Sequence, residues 1–98
     1  MGELQFEWDP NKATSNERKH GVSFDEASTV FSDDHAILLD DPEHSDDEDR
    51  FLLLGLSSNL RTIVVCHAYR TAEDVIRLIS ARKATRRERR DYARGWKP

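Results

Sequence analysis

With 98 residues, 37% of them apolar and 35% charged, the chain is long enough for one modest hydrophobic core and too short for two. Its one cysteine, Cys66, excludes an intramolecular disulfide and is typical of a reducing compartment. No apolar run reaches the roughly 18 residues of a membrane span, and MGELQFEW has neither part of a secretion signal. We therefore expect one cytoplasmic domain, residues 1–98.

The net charge of −4 hides two parts of opposite sign. Residues 1–60 hold 4 Lys and Arg against 15 Asp and Glu, whereas residues 61–98 hold 11 against 4. A split this strong predicts that one face binds a polyanion. The two parts could instead neutralise each other across the fold, because charge runs are often only solvated surfaces.

The N-terminal part predicts a short strand followed by two helices. Residues 6–8 alternate apolar and polar, as a half-buried strand does. The Asp-Pro pair at Asp9 begins a helix, and Gly21 ends it in the left-handed conformation. The S-x-x-E capping box at Ser23 begins a second helix, over about 24–31.

The remaining elements are four strands and a terminal helix. The strands are predicted at 36–39, 51–56, 62–69 and 75–80, with an acidic loop at 40–49. Short connections favour an antiparallel meander. A capping box at Thr85 begins a helix at Arg86 that ends near Gly95. The prediction is an α+β fold: an antiparallel meander sheet with two N-terminal helices and a C-terminal helix.

The two middle strands of this sheet are apolar on both faces, which limits how the layers can be arranged. The helix pair can cover one face. The other needs the C-terminal helix or a partner chain. Since only Tyr92 and Ala93 are apolar in that helix, we expect it to be held loosely, or to be fixed by polar contacts or by a partner.

The segment RLISARKATRRERRDY, residues 77–92, concentrates positive charge. Between Arg77 and Arg90 it carries seven cations and one anion, Glu88. The planar fork of arginine matches phosphate oxygens and never loses its charge. We therefore predict that this segment meets phosphate and that the rest of the chain supports it.

Three stretches together resemble the BrnT family of bacterial toxins: FEWDPNKATSNERKHGVSFDEASTVF, then DRFLLLG after the acidic loop, then RLISARKATRRERRDY. The resemblance implies a fold similar to RelE-type ribonuclease toxins and a type II toxin–antitoxin system. It implies a toxin that cleaves RNA and arrests translation. It also implies a hetero-oligomer with a ribbon-helix-helix antitoxin of the BrnA type, which wraps the toxin and binds operator DNA.

RNA cleavage without metal needs a base for the 2′-hydroxyl, cations for the charge on the phosphorane, and an acid for the leaving 5′-oxygen. The candidates are chosen mainly by this chemistry. The predicted catalytic residues are Arg82, Arg77, His20 and Glu88. The predicted RNA-binding residues are Arg86, Arg50, Arg87, Arg90 and Tyr92. Long-range attraction is the more typical role of Arg87, Arg89, Arg90 and Arg94, and each arginine could instead be solvated or ion-paired.

Several candidates have structural alternatives. Glu88 could be the general base or only the capping-box glutamate. His20 could act as acid or base, or only favour the negative end of the first helix. Tyr92 could stack on a base or pack on the sheet, and we favour packing. Arg50 could pair with the acidic loop or reach the RNA. His67 could line a groove, although its strand position favours the core.

The first hypothesis is thus a metal-independent endoribonuclease toxin that needs no cofactor. The alternative is a non-catalytic nucleic-acid-binding or co-repressor module, because no catalytic pair stands out by its spacing. A third possibility is a metal-dependent enzyme that uses His44, Asp46 and Glu48 of the acidic loop, although their spacing is unlike that of zinc ligands.

Overall fold

The computed structural model of the chain describes residues 4–41, 49–70 and 74–95. Its strands are β1 (Gln5–Glu7), β2 (Ile37–Asp40), β3 (Arg50–Leu56), β4 (Thr62–Arg70) and β5 (Val75–Lys83). Its helices are α1 (Pro10–His20), α2 (Phe24–Thr29) and α3 (Arg86–Arg94), and a 3-10 turn (Val30–Ser32) follows α2. The predicted α+β class is confirmed. Most of the predicted acidic loop and of the turn at 71–74 lies outside the described residues.

The strand order across the sheet is β1-β5-β4-β3-β2. Strands β2 to β5 form the predicted antiparallel meander. Strand β1 departs from it, because it pairs with β5 in parallel, with Phe6 opposite Ile76. Helices α1 and α2 separate β1 from the other strands along the chain. Strand β1 therefore forms no hairpin with a neighbouring strand and pairs with the free edge of β5 instead. The sheet is therefore mixed.

The helix ends follow the predicted local rules. The Asp9 carboxylate accepts from the backbone N–H of Asn11 at 2.8 Å, and Gly21 ends α1 at φ 69°. The hydroxyl of Ser23 accepts from the backbone N–H of Glu26 at 3.0 Å. At α3, Thr85 and Glu88 form the predicted capping box with both hydrogen bonds present. These caps satisfy backbone groups that a helix end leaves without partners.

The helix pair covers one face of the sheet and encloses the main core there. Its buried side chains are Val22, Phe24, Ala27, Val30, Leu53, Ile63, Val65, Ile76, Leu78 and Ala81. His67 lies on the same face with 0% exposure and meets the Phe31 ring edge to face at 4.8 Å. Burial lowers the pKa of His67. The preferred interpretation of His67 as a core histidine is confirmed.

Gly55 in β3 lets the 3-10 turn lie directly against the sheet. A Cβ at this position would be 2.8 Å from Cγ1 of Val30 and 3.0 Å from Cβ of Ala36. Real Cβ atoms do not approach other atoms this closely, so a larger residue would force the turn away. The close approach matters because the same turn leads into Asp33, which helps to fix α3.

A buried ion pair joins α2 to the turn between β3 and β4. Glu26 is 8% exposed and accepts from Nε of Arg61 at 2.9 Å, from Nη2 of Arg61, and from the hydroxyl of Ser57 at 2.7 Å. Arg61 also donates to the carbonyl of Gly21 at 3.0 Å. The Arg61 guanidinium holds the pKa of Glu26 below its usual value. Arg61, one of the cations of residues 61–98, therefore forms an ion pair within the fold.

Helix α3 lies on the second face of the sheet. This is one of the two predicted arrangements, in which either the C-terminal helix or a partner chain covers that face. Tyr92 packs against the smaller buried cluster of Leu54, Val64 and Ala84. Its hydroxyl donates to Oδ2 of Asp33 at 2.5 Å. Burial and the Asp33 carboxylate raise the pKa of Tyr92 to about 12. The favoured packing role of Tyr92 is confirmed, and polar contacts do help to hold this weakly apolar helix.

Candidate nucleic-acid interface

Three of the predicted arginines project from the same face of the sheet, the one that carries α3. Ala68 in β4 is directly opposite Arg50 on one side and Arg77 on the other. Arg82 is directly opposite Val64, four residues from Ala68 on the same strand. Directly paired residues share a face, and residues four apart on a strand do too. We call Arg50, Arg77 and Arg82 the arginine face.

A β-bulge brings Arg77 and Arg82 onto this common face. Their separation of five residues would place them on opposite faces of a regular strand. The register shifts between Cys66, which pairs with Ser80, and His67, which pairs with Leu78, so one extra residue of β5 lies between these pairs. That extra residue reverses the alternation of side chains beyond it. The bulge therefore determines the composition of the arginine face.

The spacing on the arginine face follows from strand geometry. Arg50 and Arg77 stand two strand spacings apart, or about 10 Å between Cα atoms. The row that contains them and the row of Arg82 are four residues apart along β4, or about 13 Å. Long, flexible arginine side chains at these separations can each reach a different phosphate of one RNA strand, or they can converge on a single phosphate.

Arg82 is paired with Glu88 of α3. Its Nη1 donates to Oε1 at 2.8 Å and its Nη2 donates to Oε2 at 3.0 Å, a two-pronged pair. Oε1 of Glu88 also accepts from the backbone N–H of Thr85 at 2.8 Å. The hydrogen bonds from Arg82, above all, lower the pKa of Glu88 to about 2. Such a carboxylate is a weak base near neutral pH, which favours the capping role of Glu88 over the role of general base.

We expect this pair to make stability depend on pH. Because the folded pKa of Glu88 is about 2, below its ordinary 4.5, ionised Glu88 stabilises the fold fully above about pH 4.5 and progressively less toward pH 2. The difference in free energy of unfolding between wild type and Glu88→Gln should shrink over that window. Urea denaturation at pH 6, 4 and 3 measures it. Gln still completes a capping box, so the variant isolates the charge.

The control for this pH dependence is Glu17→Gln, which removes an exposed carboxylate from α1. Its effect on the free energy of unfolding should be small at each pH, since surface substitutions usually change stability by less than about 0.5 kcal/mol. A difference between wild type and Glu88→Gln that stays the same from pH 6 to pH 3 would contradict the assignment.

Arg50 and Arg77 lie at the opposite end of this face from α3. Arg77 is half-buried between Ala68 of β4 and Glu7 of β1, its partners in register. The charge of Arg50 acts on the neighbouring thiol of Cys66. Burial nevertheless raises the pKa of Cys66 to about 11, so the thiol stays protonated and donates to Oδ2 of Asp41 at 3.6 Å. This end of the face is polar and charged.

The other predicted arginines lie on α3, the helix whose Glu88 binds Arg82 of the arginine face. Arg86, Arg87 and Arg90 are exposed. Arg89, also exposed, uses Nη1 to donate to the carbonyl of Ala84 at 2.9 Å. Their charges lie in water, and the long-range attraction expected of Arg87, Arg89 and Arg90 stays a prediction.

His20 lies elsewhere, at the end of α1 beside the edge of β5. It lines an open groove of about 340 Å³ together with Lys19, Ile79 and Ser80. Among the described residues, no contact joins His20 to Arg82 or Glu88. The catalytic role of His20 therefore stays a prediction, and its position in the groove was not predicted from the sequence.

A family model described as "Ribonuclease toxin, BrnT, of type II toxin-antitoxin system" matches residues 8–88. The chain belongs to the BrnT family. A 1.1 Å crystal structure of the Brucella abortus ribonuclease toxin BrnT matches with a TM-score of 0.63 and 24% identity, covering 86% of this chain and 100% of that one. At this identity the match confirms the fold. A comparison with curated proteins gives no match.

The resemblance predicted from the sequence is thus confirmed, and BrnT membership makes this chain a ribonuclease toxin of a type II system, which implies an antitoxin partner. No helix among the described residues is long and apolar enough to cross a membrane. The described residues also contain no group of three His, Cys, Asp or Glu side chains that could hold a metal ion. His44, Asp46 and Glu48 lie outside them, so the metal-dependent alternative stays a prediction.

Sequence reasoning missed two kinds of residue in this BrnT chain. Lys12 and Lys19 line the groove beside His20, and their spacing of seven residues, two helical turns, could have indicated a shared helix face. Asp33 receives the Tyr92 hydroxyl across 59 residues of sequence, and no local pattern reports such a contact. Ser80, which borders both surfaces, is likewise visible only in the fold.

Proposed function

We propose that this BrnT-family chain is a metal-independent endoribonuclease whose RNA cleavage arrests translation. The observation that supports it is the arginine face, where the bulge in β5 turns Arg77 toward the same side as Arg50 and Arg82. Three guanidinium groups on one surface, with the exposed arginines of α3 beside it, form a site for a phosphodiester rather than for a neutral ligand.

In the proposed reaction, the 2′-oxygen attacks the adjacent phosphorus while a base removes its proton. The bond from phosphorus to the 5′-oxygen breaks, and an acid protonates that oxygen, which leaves a 2′,3′-cyclic phosphate and a 5′-hydroxyl. Arg77 supplies positive charge to the non-bridging oxygens, which gain charge in the transition state. Arg50 and Arg86 bind flanking phosphates. Arg82, held by Glu88, donates through its remaining N–H groups.

His20 remains our candidate for proton transfer, because an imidazole ring has one nitrogen that donates a proton and one that accepts a proton. Glu88 is the weaker candidate, since Arg82 holds its pKa at about 2. The same facts favour one alternative function. If neither His20 nor Glu88 transfers a proton, the arginine face binds nucleic acid without cleaving it, and the chain acts as a binding or co-repressor module.

Incubation of the purified chain with a labelled RNA, with and without EDTA, tests the proposal. We expect cleavage at equal rates in both, with products that end in a cyclic phosphate. Loss of cleavage with EDTA, reversed by added metal, would support the metal-dependent alternative. Binding without cleavage, together with normal growth of cells that express the chain without an antitoxin, would support the binding module.

We further propose that the partner is a ribbon-helix-helix antitoxin of the BrnA type, acting in the cytoplasm as a hetero-oligomer with this chain. Operator DNA would then be bound only through the antitoxin. Membership in a type II toxin–antitoxin family supports the existence of such a partner. A neighbouring gene for a ribbon-helix-helix protein would support its type. Co-purification of the two chains at a fixed ratio would establish the hetero-oligomer.

A further inference from the structure

The groove between α1 and the edge of β5 is a cationic concave surface, and the proposed catalytic chemistry does not use its two lysines, Lys12 and Lys19. It holds about 340 Å³ and is lined on the helix side by Lys12, Ser15, Lys19 and His20. Among the described residues that line it, none is acidic. A concave site that combines positive charge, hydroxyl groups and no carboxylate is suited to an anion with several oxygens.

The groove exists because β1 is short. Strand β1 accompanies β5 only as far as Arg77, opposite Glu7. Beyond that point α1 takes its place, and Asn16 satisfies the backbone N–H and carbonyl of Ala81 at 3.0 and 2.9 Å. The edge is thereby closed to a further strand, and Ile79 and Ser80 are left as the sheet side of the groove. The cavity is therefore part of the fold's construction.

Ser80 connects this groove to the arginine face. It pairs with Cys66 in register and so shares the face of Arg82, whose partner Val64 lies two residues from Cys66. Ser80 is exposed and also lines the groove beside α1. An RNA strand that leaves the arginine face at Ser80 therefore passes directly into the groove.

We propose that this groove binds the phosphodiester backbone of the RNA strand beyond the cleaved linkage, through Lys12 and Lys19. The proposal rests on the proposed function, which puts RNA on the arginine face. Lys12 and Lys19 are seven residues apart on the helix, or about 10 Å along its axis. That length spans about three stacked nucleotides at roughly 3.4 Å each. The contacts are to phosphate and carry no sequence preference of their own.

The test measures binding separately from cleavage. The probe is a fluorescein-labelled oligonucleotide of about 12 nucleotides with every 2′-hydroxyl methylated, which cannot undergo attack by that group. Fluorescence anisotropy gives its affinity between 50 and 200 mM salt. Each lost phosphate contact should lower the slope of log affinity against log salt by about 0.7 and the affinity at 0.1 M salt by about 5-fold.

Two neighbouring residues provide a matched comparison. Lys19→Gln removes one charge from the groove, and Arg18→Gln removes one exposed charge from the same helix without altering the groove lining. We expect the first variant to show the loss of slope and affinity, the double variant with Lys12→Gln to show about twice the loss of slope, and Arg18→Gln to bind as the wild type does. Equal losses at Lys19 and Arg18, or none at either, would overturn the proposal.

Cleavage of unmodified RNA by the same wild-type protein separates this proposal from the proposed function. Groove-dependent binding without any cleavage would contradict the ribonuclease proposal and leave the phosphodiester site standing. Cleavage, together with a probe affinity that does not depend on Lys12 and Lys19, would support the ribonuclease proposal and contradict the phosphodiester site in the groove. Both lysines are exposed, so their substitution should leave the fold intact, and circular dichroism of the variants checks this.

Discussion

Replacing Asn16 by leucine should lower the free energy of unfolding by about 3 kcal/mol or more. The Asn16 amide group donates to the carbonyls of Val22 and Ala81, each at 2.9 Å, and its oxygen accepts from the N–H of Ala81 at 3.0 Å. Leucine has the same branched arrangement of heavy atoms and a higher helix propensity, but it leaves three polar backbone groups without these partners. Each buried group left this way costs about 1–3 kcal/mol.

Urea denaturation of Asn16→Leu and of the control Asn11→Leu measures this effect. Asn11 lies on the same helix but is exposed, so its substitution should change stability by less than about 0.5 kcal/mol. Asn16→Asp adds a second comparison. It keeps the acceptor for Ala81 but directs a carboxylate oxygen toward two carbonyls, so it should also be strongly destabilising. Similar, small effects at Asn16 and Asn11 would contradict the assignment.

The stability of the Asn16 contacts also bears on function. Ala81 lies between Ser80, which borders the groove, and Arg82, which belongs to the arginine face. The side chain of Asn16 therefore fixes the one stretch of β5 from which both surfaces are built. Loosening it should reduce RNA binding and cleavage together, even though Asn16 itself is 8% exposed.

Local rules explain why most of the elements were predictable. The Asp9 cap, the left-handed stop at Gly21 and the capping box at Thr85 are each decided within a few residues, and all three are present. At Ser23 only the N-cap half of the predicted capping box forms, because the Glu26 carboxylate binds Arg61 and Ser57 instead. The partner of β1 is decided differently. Three residues with alternating polarity specify a strand but not its neighbour, and the parallel pairing with β5 spans about 70 residues of sequence.

The candidate site was predictable in composition but not in arrangement. The sequence shows the cations between Arg77 and Arg90 as one cluster, yet the fold divides them. Arg82 faces α3, whereas Lys83 is opposite the core residue Ile63, and its Nζ would lie 4.0 Å from a Cβ at Gly21. The bulge that places Arg77 with Arg82 leaves no mark in the local sequence, because it depends on pairing with β4.

Because the bulge gives Arg77 its position, Arg77→Gln should reduce RNA cleavage by about 100- to 1,000-fold in kcat, the usual effect of removing one donor to a transition-state oxyanion. Arg77→Lys should recover part of this loss, since it restores the charge but not the planar fork. Single-turnover cleavage of a labelled RNA in EDTA gives the rate constants. Arg18→Gln, outside the arginine face, serves as the control and should cleave at the wild-type rate.

The distinction between catalysis and attraction decides how the Arg77 result is interpreted. Removing a residue that only attracts RNA would raise KM and leave kcat unchanged, and excess protein or low salt would restore the rate. Removing a residue that stabilises the phosphorane lowers the rate constant of the bound complex, and neither excess protein nor low salt restores it. Full cleavage by Arg77→Gln at saturation would remove Arg77 from the reaction. Because Arg77 and Arg82 share a face only through the bulge, that outcome would also separate the arginine face from the chemistry.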